Sequence, residues 1–207
     1  GIEAIFGIIF GFDTDTPDTG RRMTGFLLAA NAPIVYFNLL AALPGTPLWD
    51  RLVTEGRLLD TGAGDSRQSA DLLSCATTNV KLRLPNAQVV AMLRDTVRAV
   101  YAPAEVFRRM TWNAEHVYGQ QVQGRPPSGN WAEISRLLRF TAGTFVRVFW
   151  RSGVEAPYRR HFWRFAWRVA RLRLGGRVKS FLEVMLRVTP NAHHLIRWAE
   201  NLLAQPV

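Results

Sequence analysis

The chain has 207 residues, 48% of them hydrophobic, which is enough for one large domain or two modest ones without stabilising cross-links. Its single cysteine, Cys75, excludes an internal disulfide and any metal site built from this chain's cysteines alone, and it favours a reducing, cytoplasmic compartment. The net charge of +10 comes from the second half, since residues 1–102 carry nine Lys or Arg against ten Asp or Glu, and residues 103–207 carry seventeen against six.

Two apolar runs that break abruptly into polar turns stand in the first quarter of the chain. Ile2 to Phe12 predicts a strand buried on both faces, because Ile, Phe and Gly dominate it. Ile34 to Leu40 predicts the next strand. With a helix between them, the two strands should be parallel and joined by a right-handed crossover.

A Thr-Pro pair follows each strand and indicates the start of a helix. Thr16 is the expected N-cap of the first helix, with Pro17 at its first position and an end near Ala30. Thr46-Pro47 repeats the pattern and starts a short helix that Gly56 ends. The two turns should therefore play the same architectural part.

Residues 58–80 lose this pattern and indicate a long loop, and everything after Pro85 indicates helices. A Pro/Gly linker lies between Gly124 and Gly129. The predicted domains are 1–57, 58–123 and 124–207. The predicted helices run over about 86–101, 103–118, 131–150, 156–174, 176–188 and 190–204.

The segment from Tyr158 to Leu174 is both apolar and cationic. Two tryptophans, Trp163 and Trp167, are expected to widen its apolar side towards the surface. One interpretation is a peripheral membrane contact with anionic headgroups, and another is an Arg face exposed over a core that packs on neighbouring helices. Nucleic acid has no support from a recognisable binding module. The apolar stripe is Phe162, Phe165, Val169 and Leu172, and the arginine stripe is Arg160, Arg164, Arg168 and Arg171.

The carboxyl ends of the two strands are the predicted site. In a parallel α/β barrel the active site is built from the loops at those ends, which here include Asp13, Asp15, Asn38 and the loop 44–47. An alternative is that Asp15 caps a helix and the loop glycine, Gly45, merely permits a turn.

Three motifs resemble a known family. Gly7–Asp15 (GIIFGFDTD) resembles the fifth-strand motif of radical S-adenosylmethionine enzymes, and Leu43–Leu48 (LPGTPL) resembles the turn after their sixth strand. The match is nearest to the cobalamin-binding group that includes the hopanoid C-methylating enzymes, whose barrel is followed by a helical extension of unassigned function. Similarity to the start of that extension lies in Thr77–Val80, Leu93, Tyr101–Pro103, Phe107 and Arg108-Arg109.

The resemblance implies a fold class of α/β followed by all-α: the last two parallel strands of a partial TIM-type barrel plus a C-terminal helical domain. It implies a cobalamin-dependent methyltransferase or related radical enzyme as the parent protein, acting on a small or lipid-like molecule. S-adenosylmethionine, a 4Fe-4S cluster and cobalamin would be its cofactors, yet the Cys-x3-Cys-x2-Cys ligands are absent from this chain, which should be inactive alone. The residues implied to border the nucleoside are Ile9, Gly11, Asp13, Asn38 and Leu40. The alternative function is a basic helical module that binds a membrane surface or an acidic partner.

Overall fold

A computed structural model describes residues 4–59, 78–118, 143, 146, 147 and 149–205. The chain divides into two compact units, an α/β unit of residues 5–100 with the residues from Leu202 on, and a helical unit of residues 101–201 with the first residues of the chain. The coarse fold class is confirmed, because the described residues form one parallel pair of strands and are otherwise mostly helical. The predicted domain boundaries after residues 57 and 123 stay predictions.

The α/β unit is built on two strands whose register is fully paired. Ile5 lies opposite Ile34 at one end, and Phe10 lies opposite Leu39 at the other. The parallel direction predicted from the strand-helix-strand order is confirmed. The elements are β1 (Ile5–Phe10), α1 (Thr19–Ala29), β2 (Ile34–Leu39), α2 (Pro47–Thr54) and α3 (Asn86–Val100).

The two faces of this sheet differ. Phe10, Val35, Phe37 and Leu39 are buried, and Phe6 contacts Phe26 of α1 with ring centroids 6.2 Å apart. The other face stays open, with Ile5 61%, Ile9 44% and Tyr36 56% exposed. The prediction that the first strand is buried on both faces is therefore wrong, because successive side chains alternate between a covered and an uncovered face.

The two Thr-Pro turns also differ, contrary to prediction. Thr46 caps α2, since its hydroxyl accepts the amide N–H of Trp49 at 3.3 Å. Thr16 does not cap α1, which begins three residues later at Thr19. The amide N–H of Thr16 donates to the Thr19 hydroxyl at 2.9 Å, so Thr19 closes the turn that precedes the helix. The same dipeptide thus serves two local structures.

Close packing of α1 on α3 holds the helical layer of the α/β unit together. A Cβ at Gly20 would lie 3.2 Å from the Cβ of Met92, so a side chain there would force the helices apart. The hydroxyl of Thr96 donates to the Gly20 carbonyl at 3.2 Å and to the Met92 carbonyl at 2.9 Å. Glycine at this position permits a close helix contact.

The helical unit packs around aromatic rings. Phe107 lies with its ring centroid 5.9 Å from Tyr158, 6.5 Å from Phe162 and 5.8 Å from Phe165. The predicted helix 131–150 falls mostly outside the described residues. The elements are α4 (Pro103–His116), a π-helical turn (Arg151–Glu155), α5 (Arg159–Leu174) and α6 (Phe181–Ala204).

Helix α6 corrects the prediction of two helices, 176–188 and 190–204. It continues through Pro190, although an internal proline removes one backbone hydrogen bond and costs about 3 kcal/mol. Val188 and Ala192, on either side, are both buried. Packing of this continuous apolar face offsets the cost of the proline.

None of the described helices combines the length and the apolar character that crossing a membrane requires.

Candidate functional site at the carboxyl ends of the strands

The open sheet face brings two predicted site residues together. Ile9 and Asn38 are register partners next to the carboxyl ends of β1 and β2. The preceding pair on the same face is Gly7 and Tyr36. A Cβ added at Gly7 would meet no atom within 4 Å, so the backbone there is bare. The result is an apolar, flat surface beside one amide side chain.

The turn after β1 is fixed by a carboxylate and a hydrophobic contact. The Asp15 carboxylate accepts the amide N–H of Gly11 at 2.7 Å and that of Phe12 at 3.1 Å. Gly11 has a φ of +109°, a backbone conformation that favours glycine. A Cβ there would lie 3.0 Å from Leu82 and 3.3 Å from Leu40, so Gly11 is packed beneath those residues. Asp15 therefore closes this turn and does not cap the helix.

Leu40 connects the end of β2 to its surroundings. Its amide N–H donates to the Phe10 carbonyl at 2.7 Å, which continues the strand pairing by one more bond. Its carbonyl accepts the Thr78 hydroxyl at 2.6 Å. The predicted residues Ile9, Gly11, Asn38 and Leu40 are thus neighbours in one corner of the α/β unit. Ligand contact by any of them stays a prediction.

Asp13, the fifth predicted residue, is engaged by arginines. Its Oδ1 accepts from Arg57 Nη2 at 2.7 Å and its Oδ2 from Arg57 Nη1 at 3.1 Å. Arg51 approaches the same carboxylate to 3.3 Å and Arg83 to 3.6 Å. The hydrogen bond from Arg57 holds the pKa of Asp13 below its ordinary value, so this carboxylate stays ionised and is no proton donor at neutral pH. A ligand contact through Asp13 would compete with these ion pairs.

Arg57 is the centre of this network. Its guanidinium also donates to Glu55 at 2.8 Å and to the Lys81 carbonyl at 3.0 Å. The hydrogen bond that Arg57 donates to Asp13 is the largest cause that raises the pKa of Arg57. Backbone pairing between Leu58 and Val80 lies beside it. Three chain segments far apart in sequence are therefore tied together at the rim of the sheet.

Asn79 braces the chain after β2. Its side-chain oxygen accepts the Ala42 amide N–H at 2.9 Å, and its side-chain nitrogen donates to the Ala42 carbonyl at 2.8 Å. Both bonds are buried, and the Asn79 residue is 1% exposed. The Asn79 side chain therefore pairs with the backbone of Ala42 as a neighbouring strand would.

Sequence reasoning missed Arg57 and Asn79. Asn79 lies in the TTNV motif that resembles the extension, but its partner is 37 residues away and no spacing rule joins them. Arg57 follows the glycine that ends α2, where a charged residue suggests only solvent exposure. The position of Asp13 just after a strand was the one available signal for the network.

The arrangement offers binding surface more than reactive groups. Within the described ranges, no group of three His, Cys, Asp or Glu side chains could hold a metal ion. Cys75 lies outside the described residues. The site supplies an apolar face, fixed backbone turns and one ionised carboxylate neutralised by arginines. These features suit positioning of a ligand, with the chemistry supplied by other groups.

The family model "Domain of unknown function (DUF4070)" matches residues 46–206, more than three quarters of the chain. The chain belongs to this DUF4070 family. The match covers α2, Arg57, Asn79 and residues 101–201 of the helical unit, whereas the two strands lie before it, as do Asp13 and Ala42, the partners of Arg57 and Asn79.

Two relatives are similar over more of the chain, and the longer of the two alignments includes both strands. The hopanoid C-2 methylase of Rhodopseudomonas palustris (strain TIE-1) is 37% identical over 205 residues, which are 97% of this chain and 34% of that protein. The uncharacterized methyltransferase sll1242 of Synechocystis sp. is 28% identical over 173 residues, 83% of this chain and 29% of its own length. These similarities confirm the resemblance to hopanoid C-methylating enzymes. The chain spans about a third of these relatives, and no solved structure gives a significant match.

Proposed function

We propose that the chain is the C-terminal part of a radical S-adenosylmethionine enzyme that methylates carbon in a poorly reactive, lipid-like substrate. The observation that carries this proposal is the 37% identity to a hopanoid C-2 methylase, because it extends over 97% of the chain. The likeness therefore includes the strand pair and the helical unit together. In this proposal the whole protein is cytoplasmic, and this part does not act alone.

The open face of the sheet supports a partial barrel. Parallel sheets are normally covered on both faces, and a barrel covers the second face with its own interior side chains. The exposed side chains on the open face would be covered by such an interior; they are Ile5, Ile9 and Tyr36. We therefore assign β1 and β2 as the last two strands of a TIM-type barrel in the whole protein.

The residues at the carboxyl ends of β1 and β2 fit S-adenosylmethionine. Gly7 leaves room for a flat ring against the backbone, Ile9 offers an apolar contact, and the Asn38 amide can donate and accept hydrogen bonds. When bound, S-adenosylmethionine would supply the methyl group and the radical chemistry of the reaction. The contribution of this chain would be to orient the adenine side of the molecule.

The residues of this chain do not fit the iron-sulfur cluster. The cluster needs three cysteine ligands in this family, and the chain has one cysteine. Among the described residues, no set points to cobalamin either. Both cofactors are therefore proposed for the rest of the parent protein.

Two isoleucines on one strand give a matched test of the S-adenosylmethionine site. Ile5 and Ile9 face the same side of β1 but lie about 13 Å apart, at opposite ends. In the intact protein, Ile9→Trp should weaken S-adenosylmethionine binding by about tenfold or more, because the indole fills the adenine surface. Ile5→Trp adds the same bulk at the amino end and should leave binding within about twofold. Equilibrium binding of S-adenosylmethionine measures both.

Equal binding by the two variants would contradict the proposed site. A methylation assay on the intact protein tests the activity separately, with a polycyclic hydrocarbon lipid as substrate and mass spectrometry as the readout. Binding of S-adenosylmethionine without any methylated product would keep the site and reject the methylase proposal.

A further inference from the structure

Helix α5 carries an outward face on which tryptophans and arginines are interleaved. Six exposed residues recur at intervals of three or four and fall within an arc of about 100° at 3.6 residues per turn. The buried side chains of the same helix, from Phe162 to Leu172, lie on the opposite side. We name this surface the outer Trp/Arg face, and it consists of Arg160, Trp163, Arg164, Trp167, Arg171 and Leu174.

The predicted apolar stripe of this helix is confirmed, but the tryptophans do not extend it. Trp163 is 50% exposed, Trp167 63% and Leu174 88%, and all three lie on the cationic side. The π-helical turn adds Val154, which is 48% exposed. Large apolar side chains grouped at a surface mark an interaction site more often than isolated ones do.

Trp163 is held in place and not free to fold inward. Its indole N–H donates to the Gly153 carbonyl at 2.9 Å. A Cβ at Gly153 would come within 2.9 Å of the Phe162 ring, so the π-helical turn fits closely against α5. A shallow groove of about 800 Å³ follows between the turn and the helix, lined by Val154, Trp163, Trp167 and arginines. This apolar surface is therefore preformed.

The arginines at the start of α5 line the tryptophan groove. Among the residues that the structure describes, Arg159, Arg160 and Arg164 form no ion pair. Farther along, Arg168 lies 3.4 Å and Arg177 2.6 Å from the Glu115 carboxylate, so those two are paired. The uncompensated cations thus coincide with the tryptophan groove, where they line its walls.

We propose that the outer Trp/Arg face docks on an anionic membrane surface. Tryptophan prefers the boundary between headgroups and acyl chains, where its ring is apolar and its N–H is polar. Leu174 and Val154 would enter the same boundary, and the guanidinium groups would bind lipid phosphates. Nucleic acid offers phosphates but no aliphatic layer for these two side chains. The pairing of aliphatic and cationic groups therefore favours lipid.

Vesicle binding by the intact protein tests this inference. The probes are vesicles of phosphatidylcholine with or without phosphatidylserine, and the readout is co-sedimentation at low and high salt. The variant Arg160→Gln/Arg164→Gln removes two cations from the face. Its control, Arg21→Gln/Arg98→Gln, removes two exposed arginines that pair with Asp18 and Asp95 on another surface. Both variants change the net charge equally.

We expect binding to phosphatidylserine vesicles that falls with salt, and a loss of about tenfold or more in Arg160→Gln/Arg164→Gln. The control should bind within about twofold of the wild type. If both variants lose the same amount of vesicle binding, the effect comes from net charge alone and the proposal is overturned. A wild type that does not bind the vesicles would also overturn it.

A second pair of variants tests the tryptophans. Trp167→Ala should lower vesicle binding by about fivefold or more, whereas Trp112→Ala, which removes an exposed tryptophan of α4, should not. Brominated lipids should quench the wild-type fluorescence and quench Trp167→Ala less. If brominated lipids quench Trp167→Ala as much as the wild type, the assignment to lipid is overturned. It is also overturned if an oligonucleotide binds the same face more tightly than the vesicles do.

Discussion

The two units keep their side chains in place by different means. In the α/β unit, polar side chains reach across long stretches of sequence, as when Asn79 binds Ala42 and Arg57 binds Asp13, 44 residues away. In the helical unit, aromatic rings cluster around Phe107 within the core. Directional contacts fix loops at the rim of a sheet, whereas ring packing fixes a helix and leaves its outer face open to other use.

Exposed apolar surface has a different setting in each unit. On the sheet, Ile5, Ile9 and Tyr36 are exposed on strands that carry no charged side chain among their described residues. On α5, Trp163 and Trp167 are interleaved with arginines. A face without charge is typical of a surface that other protein covers, and an interleaved face is typical of a boundary with water. This contrast separates the proposed barrel interior from the proposed membrane face.

The largest expected effect distinguishes the two sides of α5. Phe162 is fully buried and its neighbour Trp163 is half exposed. Phe162→Ala should lower the free energy of unfolding by about 3–5 kcal/mol because it leaves a cavity, and Trp163→Ala should cost about 1 kcal/mol. Hydrogen exchange on the intact protein should show lost protection in α4 and α5 and retained protection in β1 and β2. Equal loss in the strands would show that the two units unfold together.

The next effect tests the polar brace of the α/β unit. Asn79→Ala leaves the buried N–H and C=O of Ala42 without their partners and should cost about 2–4 kcal/mol. Asn191→Ala is the control, since the Asn191 side chain is exposed and donates to the carbonyl of Arg187 on its own helix. It should change stability by less than about 0.5 kcal/mol. Thermal unfolding of the intact protein compares the two, and similar losses would contradict the special role of Asn79.

The ion network at Asp13 should give a smaller, pH-dependent effect. Asp13→Asn should cost about 1–2 kcal/mol at neutral pH, because Arg57 loses a bidentate partner. The pKa of Asp13 is lower in the folded chain than its ordinary value of 3.8. Its stabilisation is therefore complete above that value and is lost as the pH falls through the folded pKa.

The difference between wild type and Asp13→Asn should accordingly shrink below about pH 4. Asp18→Asn breaks an exposed pair with Arg21 and should change stability far less than Asp13→Asn does. Thermal unfolding across pH checks both variants. If the stability difference between wild type and Asp13→Asn persists at acid pH, the effect comes from the shape of the side chain and not from its charge.

Local patterns predicted local structure, and distant contacts escaped them. The apolar runs predicted both strands, and Thr46-Pro47 predicted the start of α2, because each depends on neighbours in sequence. The prediction from Thr16-Pro17 failed because the helix begins three residues later, and the Thr19 hydroxyl instead accepts the Thr16 N–H. The prediction of a helix break at Pro190 failed because burial of the residues on both sides of it outweighs the lost hydrogen bond. Asn79 and Arg57 could not be predicted, since their partners are set by the fold.

The smallest effect concerns a polar pair inside the helical unit. The Tyr158 hydroxyl is hydrogen-bonded to Nδ1 of His193, so Tyr158→Phe should cost about 0.5–1.5 kcal/mol. Burial lowers the pKa of His193 from its ordinary value of 6.5. The stabilisation by the neutral ring is thus complete above pH 6.5 and declines as the pH falls towards the folded pKa. His193→Gln should remove that decline in thermal unfolding between neutral and mildly acidic pH. Because the pKa of Asp13 in the α/β unit is lowered from its ordinary value of 3.8, a decline at mildly acidic pH that survives His193→Gln would mean that a group other than Asp13 and His193 titrates there.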